Sequence, residues 1–155
     1  MIFMFVLSHY DSRLKRAMWL FVIKRDIDGA KKELQKCKDV HFDVSWRYSY
    51  AFLLAYEGNL DKAIIEYRRA FKGGIPDRVL LEITEFIDWM IQREPEKTQL
   101  MFCLGFIYYL KIRNTLYAFE AFTDFLNSQP DRRFASQKRL AENYIRQIKK
   151  ADNRI

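Results

Sequence analysis

The side chains that most often carry chemistry are sparse in this chain and stand apart. His9 and His41 are its two histidines, and neither has a Cys, Asp or Glu at the spacing by which ligands close around a metal ion. Cys37 and Cys103, its two cysteines, show no metal-site spacing either. Both fall on apolar helical faces, where a free thiol acts as a small hydrophobe, so they predict reduced thiols in a cytoplasmic compartment. Gly73-Gly74 is not followed by the Gly-Lys-Ser/Thr of a phosphate loop, and no Ser or Thr stands in a nucleophile motif. Glu82, Glu85 and Asp88 recur at three-residue steps, which is the pattern of a solvated helix face. The sequence therefore predicts no catalytic residue, no metal site and no cofactor.

What remains is charge and ring surface. The formal net charge is +7, and most of it lies at the end of the chain. Arg132, Arg133, Lys138, Arg139, Arg146, Lys149, Lys150 and Arg154 face only Glu142 and Asp152, so this segment carries +6. Such an excess suits an acidic peptide, a nucleic acid or an anionic lipid, and it also aids solubility. Phe134, Ala141, Ile145 and Ile148 lie along one side of the same segment, which predicts an amphipathic helix over residues 132–150. Its basic surface is read as Arg132, Arg133, Lys138, Arg139, Arg146, Lys149 and Lys150. Aromatic residues make up 16% of the chain and hydrophobic residues half of it, enough for a packed core and against disorder.

The elements that hold these groups are helical. Five Gly and three Pro in 155 residues leave few turns and favour long helices in a single domain, 1–155. A helix from Asp11-Ser12 carries Leu14, Ala17, Met18, Phe21 and Val22 on one side, and a second from Ile27 carries Ala30, Leu34 and Cys37. Tyr48, Ala51, Phe52, Ala55 and Tyr56 share a face of a third; Gly58-Asn59 turns the chain, and Leu60 opens a fourth with Ala63, Tyr67, Ala70 and Phe71. Gly73-Gly74 and Pro76 close that hairpin, and Asp77 introduces a helix that ends near Arg93, ahead of Pro95. A further helix starts near Glu96 with Leu100, Cys103, Leu104, Ile107 and Tyr108. The apolar run of residues 1–7 has no positive charge before it and no small-residue cleavage site after it, which argues against a secretory signal. It is expected to pack on the first pair, with an interfacial anchor as the alternative.

The stretch 45–71 resembles a tetratricopeptide repeat. The resemblance rests on the small residues Ala63 and Ala70, on Tyr67 four after Ala63, and on the Gly58 turn; Arg47 departs where the family often has Trp, and Ala51 replaces the usual Gly. Ala30 stands 33 residues before Ala63, one repeat period, although Arg25 replaces the turn glycine and Cys37 the second alanine. Leu104-Gly105-Phe106-Ile107-Tyr108, Ala118, Phe122 and Pro130 carry a third copy, with one residue too many between Tyr108 and Ala118. From Ala63 to Ala118 is 55 residues, one period plus the length of a helix and its linker. The resemblance thus implies a right-handed α-solenoid of antiparallel helix pairs. It would have about seven or eight helices: repeats near 11–40, 44–76 and 98–130, an extra helix at 78–93 and a capping helix at 132–150.

In that family the first helix of each pair lines a concave groove. Carried over by position, the groove would show Lys15, Trp19, Tyr48, Phe52, Phe102, Phe106 and Tyr109. Rigid rings there would bind a protein or peptide partner, as an adaptor does. The same rings could instead pack against the helix at 78–93 or the N-terminal run, and the sequence leaves both open. Nucleic-acid binding through the basic helix, a membrane-associated assembly factor using residues 1–7, and pairing with a second copy are the other readings.

Overall fold

The computed structural model describes the backbone of residues 12–37 and 44–152, with side chains from Arg16 onward. The N-terminal apolar run, both histidines and the Lys15 side chain lie outside the described residues. Among the described residues the chain is all-helical, with eight α-helices and no strand. They are α1 (Ser12–Val22), α2 (Ile27–Cys37), α3 (Ser45–Tyr56), α4 (Leu60–Phe71), α5 (Asp77–Arg93), α6 (Gln99–Ile107), α7 (Thr115–Asn127) and α8 (Ala135–Asp152). The chain divides into two compact units, Met1–Phe86 and Ile87–Ile155, with the boundary inside α5.

In the first unit α1 packs on α2, α2 on α3, and α3 on α4. The α1–α2 turn has no glycine, and Arg25 itself takes the left-handed conformation that a glycine would otherwise supply (φ 56°). Asp26 then caps α2, its carboxylate accepting from the Gly29 amide at 2.9 Å. Ala30, Leu34 and Cys37 form the buried stripe of α2. The second turn uses Gly58 at φ 97°, and the Asn59 side chain caps α4 through the Lys62 amide at 3.3 Å. Ala51, Ala63 and Ala70 are fully buried where the helices approach. Arg47, at the position of the expected tryptophan, donates to Glu66 at 2.6 Å and stacks its guanidinium 4.4 Å from the Trp46 ring centre, tying α3 to α4 by charge. Lys31 bridges α2 to Glu57 at 2.9 Å. Burial lowers its pKa, but the bond and charge of Glu57, with Asp28 nearby, outweigh that and hold it above its ordinary value.

In the second unit α6 packs on α7 and α7 on α8. Eight of the nine residues of α6 are buried. Its last turn widens into a π-helical segment, Tyr108–Ile112, before Arg113 reverses the chain at φ 67° and Asn114 caps α7 through the Tyr117 amide at 3.0 Å. A π turn holds more residues than an α turn, and this one lies between Tyr108 and Ala118, where the chain is one residue longer than the resembled pattern. Arg132–Phe134 forms a single 3₁₀ turn capped by Asp131, and α8 begins at Ala135, three residues later than the periodicity suggests. Both cysteines are buried. No helix among the described residues is long and apolar enough to cross a membrane.

Candidate interaction surface

The rings expected to line a groove fall into two groups. In the first unit, Tyr48 and Phe52 are core side chains. Phe52 meets Phe21 of α1 edge-on at 5.5 Å and Phe86 of α5 at 5.1 Å, while Tyr48 packs at 6.3 Å from Tyr67 and 6.0 Å from Phe71 of α4. α5 therefore supplies one of the rings that cover α3. Trp19 differs: it is 45% exposed, with the Lys24 ammonium 5.3 Å from its ring centre. Ile23, in the turn just past the end of α1, is 60% exposed.

In the second unit, Phe102 and Phe106 are also fully buried. Phe102 packs on Phe122 and Phe125 of α7 at 5.7 and 5.5 Å, and Phe106 lies 6.4 Å from Tyr144 of α8. Tyr109 is half-buried; its ring sits 4.8 Å from Tyr144 and its hydroxyl donates to Gln147 at 2.9 Å. The terminal helix thus closes the face of α6 that the repeat pattern would leave open. Tyr48, Phe52, Phe102 and Phe106 hold the two cores, because aromatic pairs at these distances add about 0.5–1.5 kcal/mol each beyond area burial. Burial also pushes the Tyr48 hydroxyl ionisation above the ordinary tyrosine range, and the hydroxyl has no hydrogen-bond partner among the described residues.

The surface that stays open lies elsewhere. Leu116 and Tyr117, in the first turn of α7, are 62% and 48% exposed. Leu116 and Phe119 line one wall of a groove of about 460 Å³, with Thr115 beside them and Ile148, Lys149 and Asp152 of α8 opposite. The Lys149 ammonium stands 5.8 Å from the Phe119 ring centre. None of the groove's apolar residues was expected as site residues, although one signal was present. Leu116 and Phe119 are large apolar residues outside the Ala118, Ala121, Phe122 and Phe125 stripe that α7 buries.

All seven expected basic residues, Arg132, Arg133, Lys138, Arg139, Arg146, Lys149 and Lys150, are exposed. Arg133 lies 4.0 Å from Asp131 and over the Phe134 ring. At about 100° per residue, Lys138, Arg139, Arg146, Lys149 and Lys150 share one arc of α8, facing away from its buried Gln137, Ala141, Tyr144 and Ile148. None of these five pairs with a carboxylate among the described residues. No group of three or more potential metal ligands occurs among the described residues. The chain matches no family model, no curated protein and no solved structure.

Proposed function

We propose that this protein is a non-enzymatic interaction scaffold, a tetratricopeptide-like right-handed α-solenoid of antiparallel helix pairs that works in the reducing cytoplasm by holding a protein partner. The observation that carries this reading is where its large apolar side chains remain exposed. α1 and α7 each bury an apolar stripe sufficient for packing, yet Trp19 with Ile23, and Leu116 with Tyr117, stand outside those stripes. Exposed aromatic and branched residues close together in the chain are the usual anchors of a protein interface. A second copy of the chain is a partner of the same kind. With four of the expected groove rings in the core, docking falls to the outer faces of α1 and α7.

Photo-crosslinking in cells tests the reading. A benzophenone side chain placed at Trp19 or at Leu116 gives discrete adducts, whereas the same group at the exposed Glu85 gives none. An adduct of twice the chain's mass identifies self-association. Absence of adducts at both positions, or an equal ladder at Glu85, overturns the proposal.

A further inference from the structure

We infer that the α7–α8 groove and the basic arc beside it form a docking site for an acidic amphipathic segment of another protein, one with a large apolar anchor flanked by carboxylates. The inference rests on the scaffold reading and adds to it the chemistry of the partner. The groove has an apolar lining of Leu116, Phe119 and Ile148, and its volume of about 460 Å³ lies within the roughly 300–1,000 Å³ of pockets that bury an organic group. It therefore takes a leucine- or tryptophan-sized side chain. Lys149 lines the groove and also belongs to the arc, so anchor and charge are read at the same place. From Lys138 to Lys150 the arc runs about 18 Å along α8 at 1.5 Å per residue, the length of a three-turn helix laid alongside it. Its five cations have no internal carboxylate partner among the described residues, so their charge is available to an incoming anion.

A nucleic acid is the competing polyanion, and the surroundings disfavour it. Asp152 lines the groove, and Glu142 lies within the basic arc, so an uninterrupted phosphate track along α8 would meet both. The ring in the groove, Phe119, has Lys149 across it rather than an open face for base stacking. A peptide places its carboxylates only where the cations stand and sets apolar atoms against the apolar lining, as an amphipathic helix does in a groove.

Fluorescence anisotropy on the full chain tests the inference. The probe is a labelled synthetic helix-forming peptide with leucines at i and i+4 flanked by glutamates. It is compared with a version whose glutamates are lysines, a version whose leucines are serines, and a mixed-sequence single-stranded RNA. The glutamate–leucine peptide binds, and its affinity falls about tenfold in the Lys149→Glu/Lys150→Glu double variant and about tenfold in Leu116→Ser, all three positions being exposed. Raising the salt from about 0.05 to 0.5 M weakens it further. Far-UV circular dichroism of each variant matches the parent. No binding, equal binding of the lysine or serine peptide, tighter binding of RNA, or indifference to Leu116→Ser each overturns the inference. A crosslink at Leu116 to a partner lacking an acidic segment overturns it too, while leaving the scaffold reading in place.

Discussion

Gly105→Ala is expected to destabilise the second unit, although alanine is normally the better helix former. A Cβ at this position would stand 2.7 Å from both Cδ1 and Cε1 of Phe122 and 3.1 Å from its Cγ. Carbon atoms in contact prefer about 3.5–4.0 Å, so the shortfall approaches an ångström. Phe122 has nowhere to go. It is fully buried, with Phe102, Tyr109 and Tyr144 around it at ring separations of 5.7, 6.4 and 5.4 Å. Overpacking of this kind costs about 1–3 kcal/mol. Removing glycine from a helix interior returns about 0.5–1 kcal/mol. The clash outweighs that gain, and the net loss is about 1–2 kcal/mol. In urea unfolding followed by circular dichroism, with a slope of about 2 kcal/mol/M, the midpoint falls by about 0.5–1 M. Adding Phe122→Leu opens space, so the double variant is more stable than the sum of the two singles by at least about 0.5 kcal/mol. A Gly105→Ala protein as stable as the parent, or additive behaviour in the double variant, would refute the close approach of α6 and α7.

Four further outcomes follow from the same reasoning. Tyr48→Phe removes a buried hydroxyl without a partner, so stability stays level or rises by about 1 kcal/mol, and a loss beyond that in urea unfolding refutes the assignment. The raised Tyr48 ionisation adds stability that is complete below the ordinary tyrosine value of 10.0 and is lost as pH rises above it; Tyr48→Phe therefore loses less stability than the parent in unfolding curves taken above pH 10.0. Asp26→Ala strips the cap from α2 and costs about 1 kcal/mol, with faster amide exchange at Gly29; unchanged exchange there shows that the cap is idle. Glu66→Gln weakens a carboxylate that accepts from Arg47 at 2.6 Å and from Arg69 at 3.0 Å, costing about 1–3 kcal/mol, and a thermal melt matching the parent refutes it.

Much of the local structure is legible from spacing alone. Ala30, Leu34 and Cys37 bury as their steps of four and three require, and so do Ala63, Tyr67 and Ala70 one period later. Between the helix of Ala63 and that of Ala118 stand two helices, α5 and α6, which is what 55 residues leave room for. The stretch that is one residue too long before Ala118 holds the π turn at Tyr108–Ile112. Arg25 is different in kind. Its left-handed backbone is forced by the turn, and nothing in the residue type announces it. The division at Phe86 is likewise invisible to periodicity, because it falls inside a continuous amphipathic helix.

The placement of the proposed docking surface turns on a distinction that a repeat pattern cannot make. A register assigns each residue to a face of its helix, but it does not say which neighbour covers that face. The apolar distribution around the helix carries that information. Tyr48 and Phe52 sit on α3, where nine of twelve residues are buried, and Phe102 and Phe106 sit on α6, where only Met101 is not. A helix apolar all round has no side left for solvent and lies inside its unit. Rings on such helices are core side chains whatever their repeat position. A surface for a partner has to come from helices that keep a polar face and break it with a large apolar residue. Trp19 does so on α1, with Ile23 just past its end, and Leu116 does so on α7 beside the cations of α8. Alanine at Tyr48 or Phe52 thus deletes core, at about 3–5 kcal/mol, and would report on folding rather than on binding. Serine at Leu116 removes an exposed side chain and leaves the packing intact, so a loss of partner there reports on binding alone.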